Sequence, residues 1–238
     1  MKKNALLIHG WDYLLYTKMT DSNDAWEEYS NFTNMLSRNY NVYKINFPGF
    51  CGENEPKEKE WDIENYSNYI HDYISNHQLK IDILIGYSFG GAVAIDYVNR
   101  YKSNAKLFLI APAIIRNNYN SRNFIKTPSF LKPFRNIIRN WYVTHIIKNN
   151  EMRFGTSFLK NSYQTIVRED KRNDLYNIDY KKVYIVYGNK DTAVNPQEIL
   201  NTLKKEYLNR IFIIPNANHD NIITDYVKDL ERILIEFF

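Results

Sequence analysis

The sequence predicts an α/β fold with a mostly parallel sheet of about six strands flanked by helices. Short apolar runs alternate with segments of helical periodicity, which is typical of a parallel sheet covered on both faces. The length of 238 residues suffices for one substantial core. The alternation stops between residues 114 and 174, and this stretch is too long for an ordinary connection. We therefore expect residues 1–113 and 175–238 to form the core and residues 114–174 to form a helical cap inserted after the fourth strand.

The first half of the core is predicted to contain three strands and two helices. Apolar runs predict strands over Ala5–Ile8, Val42–Phe47 and Ile81–Ile85. Asp24, followed three residues later by Glu27, is typical of the start of the first helix. The second helix is predicted from apolar residues that recur on one face, namely Ile63, Tyr66, Tyr69, Ile70, Tyr73 and Ile74.

The second half continues the pattern on both sides of the inserted segment. A small-residue helix is predicted over Gly90–Tyr97, and strands are predicted over Lys106–Ala111, Val183–Tyr187 and Ile211–Ile214. A further helix is expected to open at Asn195-Pro196. The last helix is predicted from the spacing of Ile222, Tyr226, Val227, Leu230 and Ile233.

Composition narrows the class of protein. The hydrophobic fraction is 44% and the aromatic fraction 16%, as in globular proteins. Cys51 is the only cysteine, which excludes an internal disulfide framework and any zinc site built on two cysteines. The basic start does not continue into an export signal, because its apolar run ends at His9-Gly10, and no run reaches the roughly 18 apolar residues of a membrane span. We expect a cytoplasmic protein.

The motif Gly86-Tyr87-Ser88-Phe89-Gly90-Gly91 lies where an apolar strand ends and a small-residue helix begins. A serine on such a tight turn has a strained backbone and projects its hydroxyl above the sheet, and Gly86 and Gly90 remove Cβ atoms that would collide there. The helix that begins at the serine directs N–H groups and the positive end of its dipole towards a developing oxyanion. The motif therefore predicts a nucleophile elbow with Ser88 as nucleophile.

A serine nucleophile needs a base, and the chain offers five histidines. His71 and His77 lie on or just after the second helix and are interpreted as solvated or packed side chains. His145 falls in the predicted cap, where it is interpreted as a helix-face residue, with substrate contact as the alternative. His219 alone follows a late strand at the carboxyl edge of the sheet, where active sites of parallel sheets gather. His219 is the predicted base.

The acid that orients the base is predicted to be Asp191, which follows the strand Val183–Tyr187 at the same edge. This gives the chain order Ser, Asp, His. Asp220 is the sequence neighbour of His219, and it cannot easily turn back to orient that ring. Cys51 has neither an elbow nor an evident base and is interpreted as an unreactive loop thiol. The sequence predicts neither a metal site nor a cofactor.

Taken together, the motifs resemble those of the α/β-hydrolase superfamily over nearly the whole chain. They comprise His9-Gly10-Trp11, the segment from Asn46 to Gly52, the elbow, the segment from Gly188 to Asp191 and the His219 loop. The resemblance implies that the backbone N–H groups of Trp11 and Phe89 form the oxyanion hole, with Gly10 in the same loop. The chain departs from the family pattern in three ways: it begins at what is usually the third strand, it has Asn46 in place of a frequent acidic residue, and it has a serine nucleophile, unlike epoxide hydrolases and haloalkane dehalogenases.

The expected function is hydrolysis of a carboxylic ester or thioester through an acyl-Ser88 intermediate. The same machinery would also serve an acyltransferase or a carbon–carbon bond hydrolase. A different class of function is a non-catalytic binding protein that keeps the fold. The expected partner is a small acyl substrate, nucleic acid is not expected, and the sequence predicts no particular oligomeric state.

The positive charge of the chain is concentrated in the predicted cap. Between Ile114 and Arg172 there are 12 lysines and arginines against three acidic residues, whereas the whole chain has a net charge of +4. Apolar residues from Phe134 to Ile146 recur at helical spacing, which predicts a basic amphipathic helix. Its charges are interpreted as a solvated face above the pocket. The alternative is that they attract an anionic substrate or an anionic lipid surface.

Overall fold

The computed structural model describes residues 2–17, 24–115 and 150–237. Its centre is a six-stranded sheet in the order β2-β1-β3-β4-β5-β6, and every neighbouring pair of strands is parallel. The predicted fold class is confirmed. The strands are β1 (Lys3–Ile8), β2 (Tyr40–Ile45), β3 (Ile83–Tyr87), β4 (Lys106–Ile110), β5 (Val183–Gly188) and β6 (Ile211–Ile214).

The described residues contain α-helices of very different lengths. The longest lie against the sheet, and short ones occupy the connections. They are α1 (Leu14–Thr17), α2 (Ser30–Ser37), α3 (Ile63–Asn76), α4 (Phe89–Tyr101), α5 (Asn150–Phe154), α6 (Ser157–Ile166), α7 (Arg172–Tyr176), α8 (Pro196–Thr202), α9 (Lys205–Leu208) and α10 (Val227–Phe237). In the described ranges, no helix is both long enough and apolar enough to cross a membrane.

Two predicted helix boundaries were wrong. The first helix does not begin as an α-helix next to Asp24: the Asp24 carboxylate accepts the Trp26 N–H, a 3-10 turn over Glu27–Tyr29 follows, and α2 begins at Ser30. The last helix begins at Val227. Ile222 and Tyr226 precede it because a separate turn, in which the Asn221 carbonyl accepts N–H groups of residues 224 and 225, occupies that segment.

The order of the strands determines where a site can form. The chain passes outward from β1 to β2 and then returns to place β3 on the other side of β1. Because such parallel crossovers are right-handed, α2 and α3 cover opposite faces of the sheet. The connections after β1 and β3 therefore diverge, which leaves a crevice at the carboxyl ends of these two strands.

The core explains why the strands could be recognised as continuous apolar runs. Residues Ala5 to Ile8 of β1 and Leu107 to Ile110 of β4 have no solvent-exposed surface. A strand in the middle of a parallel sheet is covered by helices on both sides, so both of its faces must be apolar. The two edge strands, β2 and β6, are less completely buried.

The described end of the inserted segment packs on the core. Trp61, which precedes α3, donates its backbone N–H to Ser162 Oγ of α6 at 2.8 Å. Leu159 of α6 lies against Gly49, where an added Cβ would be 3.0 Å from the leucine side chain. The predicted cap over residues 114–174 stays a prediction, because its basic amphipathic helix and His145 lie outside the described residues.

The chain enters and leaves the inserted segment at neighbouring points. The Lys171 N–H donates to the Ile114 carbonyl at 2.9 Å. The Lys171 ammonium, which is nearly buried, lies 2.9 Å from Asp96 of α4 and 3.2 Å from Asp174. Breaking a buried ion pair of this kind by removing one partner typically costs about 3–5 kcal/mol. We call the Ile114–Lys171 pairing the neck of the insertion.

Candidate active site

Ser88 occupies the turn between β3 and α4 with backbone angles φ 52° and ψ −114°. A positive φ is rare for a residue with a side chain and persists only where its surroundings enforce it. Here the Ser88 N–H donates to the Ile110 carbonyl at 2.9 Å, and the Ser88 carbonyl accepts the N–H groups of Gly91 and Ala113. Hydrogen bonds to the end of β4 thus maintain the strained turn, and Ser88 remains partly exposed.

The glycines of the elbow allow the first turn of α4 to approach the sheet. A Cβ at Gly90 would lie 2.2 Å from the Ile8 carbonyl oxygen, and one at Gly86 would lie 2.6 Å from the Gly90 carbonyl oxygen. These are backbone atoms that cannot move without displacing β1 or α4. Any side chain at either position would therefore displace the serine.

The structure brings Ser88, His219 and Asp191 together. His219 Nε2 lies 2.9 Å from Ser88 Oγ, and His219 Nδ1 lies 2.8 Å from Asp191 Oδ2. An ionised carboxylate only accepts hydrogen bonds, so Nδ1 carries the proton and Nε2 presents its lone pair to the serine hydroxyl. The three residues follow β3, β5 and β6 and converge at the carboxyl edge of the sheet.

Asp191 is fixed in place from its other side. Its Oδ1 accepts the backbone N–H groups of Ala193 and Val194 at 2.9 and 2.8 Å, and its side chain is fully buried. The carboxylate therefore has one oxygen held by the backbone and one directed at the histidine. Asp220 is exposed, and it is the Asp191 carboxylate that contacts the His219 ring.

The two predicted oxyanion donors lie in the same crevice. Phe89 is the first residue of α4, so its N–H has no acceptor within the helix and lies at the positive end of the helix dipole. The Trp11 indole packs against Phe89, Phe50 and Tyr163 with ring centroids 4.9 to 5.6 Å apart. In the part of the chain that the structure describes, neither the Trp11 nor the Phe89 backbone N–H donates to a protein acceptor.

His9 has a structural role that the sequence did not reveal. It is buried, its Nδ1 lies 2.7 Å from the Gly10 carbonyl oxygen, and its Nε2 accepts the Phe47 N–H at 3.0 Å. Burial lowers the pKa of His9 to about 4, so the ring is neutral at physiological pH. The Gly10 carbonyl and the Trp11 N–H belong to one planar peptide unit. His9 therefore sets the direction of the Trp11 N–H.

Protonation of His9 is expected to destabilise the protein. The unfolded chain takes up this proton near pH 6.5 whereas the folded chain resists it until about pH 4, so stability is lost as the pH falls through that window. We expect a loss of about 3 kcal/mol in the free energy of unfolding, measured by urea denaturation at several pH values. His9→Gln should flatten this dependence and His77→Gln, at an exposed site, should not. If the free energy of unfolding depended on pH equally in wild type and His9→Gln, His9 would not be the group that causes this dependence.

The remaining histidines and the cysteine have other surroundings. His71 stacks on Tyr101 with ring centroids 3.9 Å apart, and His77 ends α3 with Nδ1 2.8 Å from the Tyr73 carbonyl oxygen. Cys51 is buried, and burial together with the nearby carboxylates of Asp24 and Glu53 raises its pKa to about 11. Its thiol is therefore protonated at neutral pH and is a poor nucleophile.

Comparisons with known proteins agree with the observed fold. A family model described as the alpha/beta hydrolase family matches residues 5–229. A Mycoplasma pneumoniae protein named esterase/lipase 2 is 24% identical over 212 residues, covering 81% of this chain and 78% of its own. Among solved structures, a Bacillus anthracis bromoperoxidase has a TM-score of 0.67 at 15% identity, covering all of this chain and 92% of its own. An Exiguobacterium antarcticum esterase has a TM-score of 0.65 at 16% identity, with 99% and 91% covered.

Proposed function

Because the chain belongs to the alpha/beta hydrolase family, we propose that this hydrolase cleaves a carboxylic ester or thioester through an acyl-Ser88 intermediate. The observation that carries the proposal is the unbroken chain of hydrogen bonds from Ser88 through His219 to Asp191, with distances of 2.9 and 2.8 Å. Family membership and the names of the relatives support the ester class, and the geometry supports the residue roles.

In the first half of the reaction, Ser88 Oγ attacks the carbonyl carbon of the substrate while His219 Nε2 accepts the hydroxyl proton. The carbonyl π electrons move to oxygen, and the Trp11 and Phe89 N–H groups stabilise the resulting oxyanion. The tetrahedral intermediate then collapses, the bond to the alcohol or thiol breaks, and His219 returns the proton to the leaving group. Ser88 now carries the acyl group.

The second half repeats these steps with water. His219 accepts a proton from a water molecule whose oxygen attacks the acyl carbon, and the Ser88 oxygen departs with the proton from Nε2. Throughout, the Asp191 carboxylate stabilises the positive charge that develops on the ring. The products are a carboxylic acid and the free enzyme, and no further group is required for the balance of atoms.

The proposal is tested with nitrophenyl esters of increasing chain length and one thioester. We expect Ser88-dependent hydrolysis with a burst of nitrophenol equal to the enzyme concentration when deacylation limits the rate. Adding an alcohol or amine distinguishes acyl transfer, since the acyl group would then appear on the added nucleophile. A carbon–carbon hydrolase would cleave a diketone and spare the esters. A protein that neither hydrolyses the panel nor reacts with a fluorophosphonate would be a binding protein, and the proposal would fail.

A further inference from the structure

We propose that Tyr87 is a positioning residue that keeps the His219 ring within hydrogen-bond distance of Ser88, an inference that rests on the proposed function. The Tyr87 hydroxyl donates to the backbone carbonyl of His219 at 2.9 Å. The two residues are 132 positions apart in the chain, so this contact joins the end of β3 directly to the loop after β6.

Tyr87 is suited to this role because it is itself rigidly held. It is the last residue of β3, it is nearly buried, and a single peptide bond separates it from the strained Ser88. Its ring lies against Gly10, where an added Cβ would be 3.1 Å from Tyr87 Cδ1, and the Tyr29 ring meets it edge-on at 5.9 Å. Burial raises the pKa of Tyr87 above its ordinary value, so the hydroxyl remains a donor over the working pH range.

Two other bonds hold the residues around His219: one joins Ala217 to the loop after β5, and one joins Asn218 to Asn221 across the histidine. The Ala217 carbonyl accepts the Lys190 N–H at 2.8 Å, and the Asn218 N–H donates to Asn221 Oδ1 at 2.7 Å. These bonds fix the neighbours of His219 rather than its own carbonyl. In the described residues, the carbonyl of His219 is held by Tyr87, whose ring also lies 5.6 Å from the imidazole.

The end of β3 therefore positions both Ser88 and His219. Ser88 directly follows β3 in the chain, and the side chain of Tyr87, the last residue of β3, holds the loop that contains His219. A thermal displacement of β3 relative to β6 therefore moves the serine and the histidine together. Loss of the hydroxyl would leave Nε2 free to drift from Ser88 Oγ without altering the crevice that binds the substrate.

The first test compares Tyr87→Phe with wild type on the best nitrophenyl ester. A displacement of 1 Å in an active site can cost about 100-fold, so we expect the smaller reorientation to lower kcat about tenfold. Rates are normalised to the sites titrated by a fluorophosphonate, which removes any effect of misfolded protein. The KM should change less than twofold, since the substitution keeps the ring and its contacts.

The matched control is Tyr207→Phe. The Tyr207 hydroxyl is also buried and lies 2.8 and 2.6 Å from the carbonyl oxygens of Leu175 and Ile178, away from the elbow. This variant should lose thermal stability with kcat unchanged. A kcat for Tyr87→Phe within twofold of wild type would overturn the proposal, as would a rise in KM at constant kcat, which would place Tyr87 in substrate binding.

A second readout does not depend on turnover. The His219 Nδ1 proton, hydrogen-bonded to Asp191, should give a downfield resonance in the proton NMR spectrum, and Asp191→Asn identifies it by its loss. We expect Tyr87→Phe to broaden or shift this resonance and Tyr207→Phe to leave it unchanged. If wild type cleaves no ester while Tyr87→Phe alters the resonance, the positioning role stands and the proposed function fails. An identical resonance in Tyr87→Phe overturns the positioning role.

Discussion

Replacing Ser88 with alanine is expected to abolish both ester turnover and covalent labelling by a fluorophosphonate, with kcat about a million-fold lower. Losses of that size follow removal of the nucleophile from a comparable triad. The reason is that, in the proposed mechanism, the acyl group is bonded to the Ser88 oxygen, which neither His219 nor Asp191 can replace. The fold should survive, because the hydrogen bonds that maintain the turn use the Ser88 backbone and not its hydroxyl.

Ser103→Ala provides the control for this variant. Among the described residues, the Ser103 hydroxyl accepts a local bond from the Ala105 N–H in the turn before β4, at the opposite edge of the sheet. Its labelling and turnover should equal those of wild type. Labelling that persists in Ser88→Ala would identify a different nucleophile and would remove the basis of the proposed mechanism.

Replacing Asp191 with asparagine is expected to lower kcat about ten-thousand-fold while the fold is retained. The amide oxygen of asparagine can still accept the N–H groups of Ala193 and Val194, so the loop keeps its bonds. The amide nitrogen then faces His219 Nδ1. Because this nitrogen donates hydrogen bonds, Nδ1 would have to act as an acceptor and could not carry the proton. The proton would move to Nε2, which could no longer accept the proton of Ser88.

The comparison variant is Asp220→Asn, which changes an exposed carboxylate next to the histidine. It should retain kcat within a few-fold of wild type. For both variants, kcat is measured per fluorophosphonate-titrated site across a pH series. A change in the pH dependence of kcat is thereby separated from a loss of active protein. Near-normal activity in Asp191→Asn together with a large loss in Asp220→Asn would reassign the acid.

The strands could be predicted closely because buried parallel strands are apolar on both faces. The prediction for Ile211–Ile214 coincides with β6, whereas the second strand, predicted over Val42–Phe47, runs over Tyr40–Ile45. The apolar pattern indicates burial, not strand pairing. Phe47 is buried although it lies in the loop after β2, where its N–H donates to His9. The polar start of β2 belongs to the strand because Tyr40 pairs with Lys3.

The three residues that the structure joins by hydrogen bonds could be located from sequence because each one follows a strand at the same edge of the sheet. Ser88, Asp191 and His219 were singled out in this way, and their catalytic roles stay predictions. The contacts of Tyr87 and His9 could not be predicted, because they join residues 132 and 38 positions apart. No local sequence pattern encodes contacts between residues so far apart in the chain, because these contacts depend on the order of the strands in the sheet.

The neck has a consequence for how the chain can change over evolution. The connection from Ile110 to Val183 spans 72 residues, yet the Ile114–Lys171 bond returns it to the sheet at the point where it left. The entropy of closing a loop grows only with the logarithm of its length, so doubling the segment beyond the neck would cost about 0.6 kcal/mol. Insertion length is therefore nearly neutral for the stability of the sheet. Lineages can lengthen, shorten or replace the segment while the geometry around Ser88 is inherited unchanged.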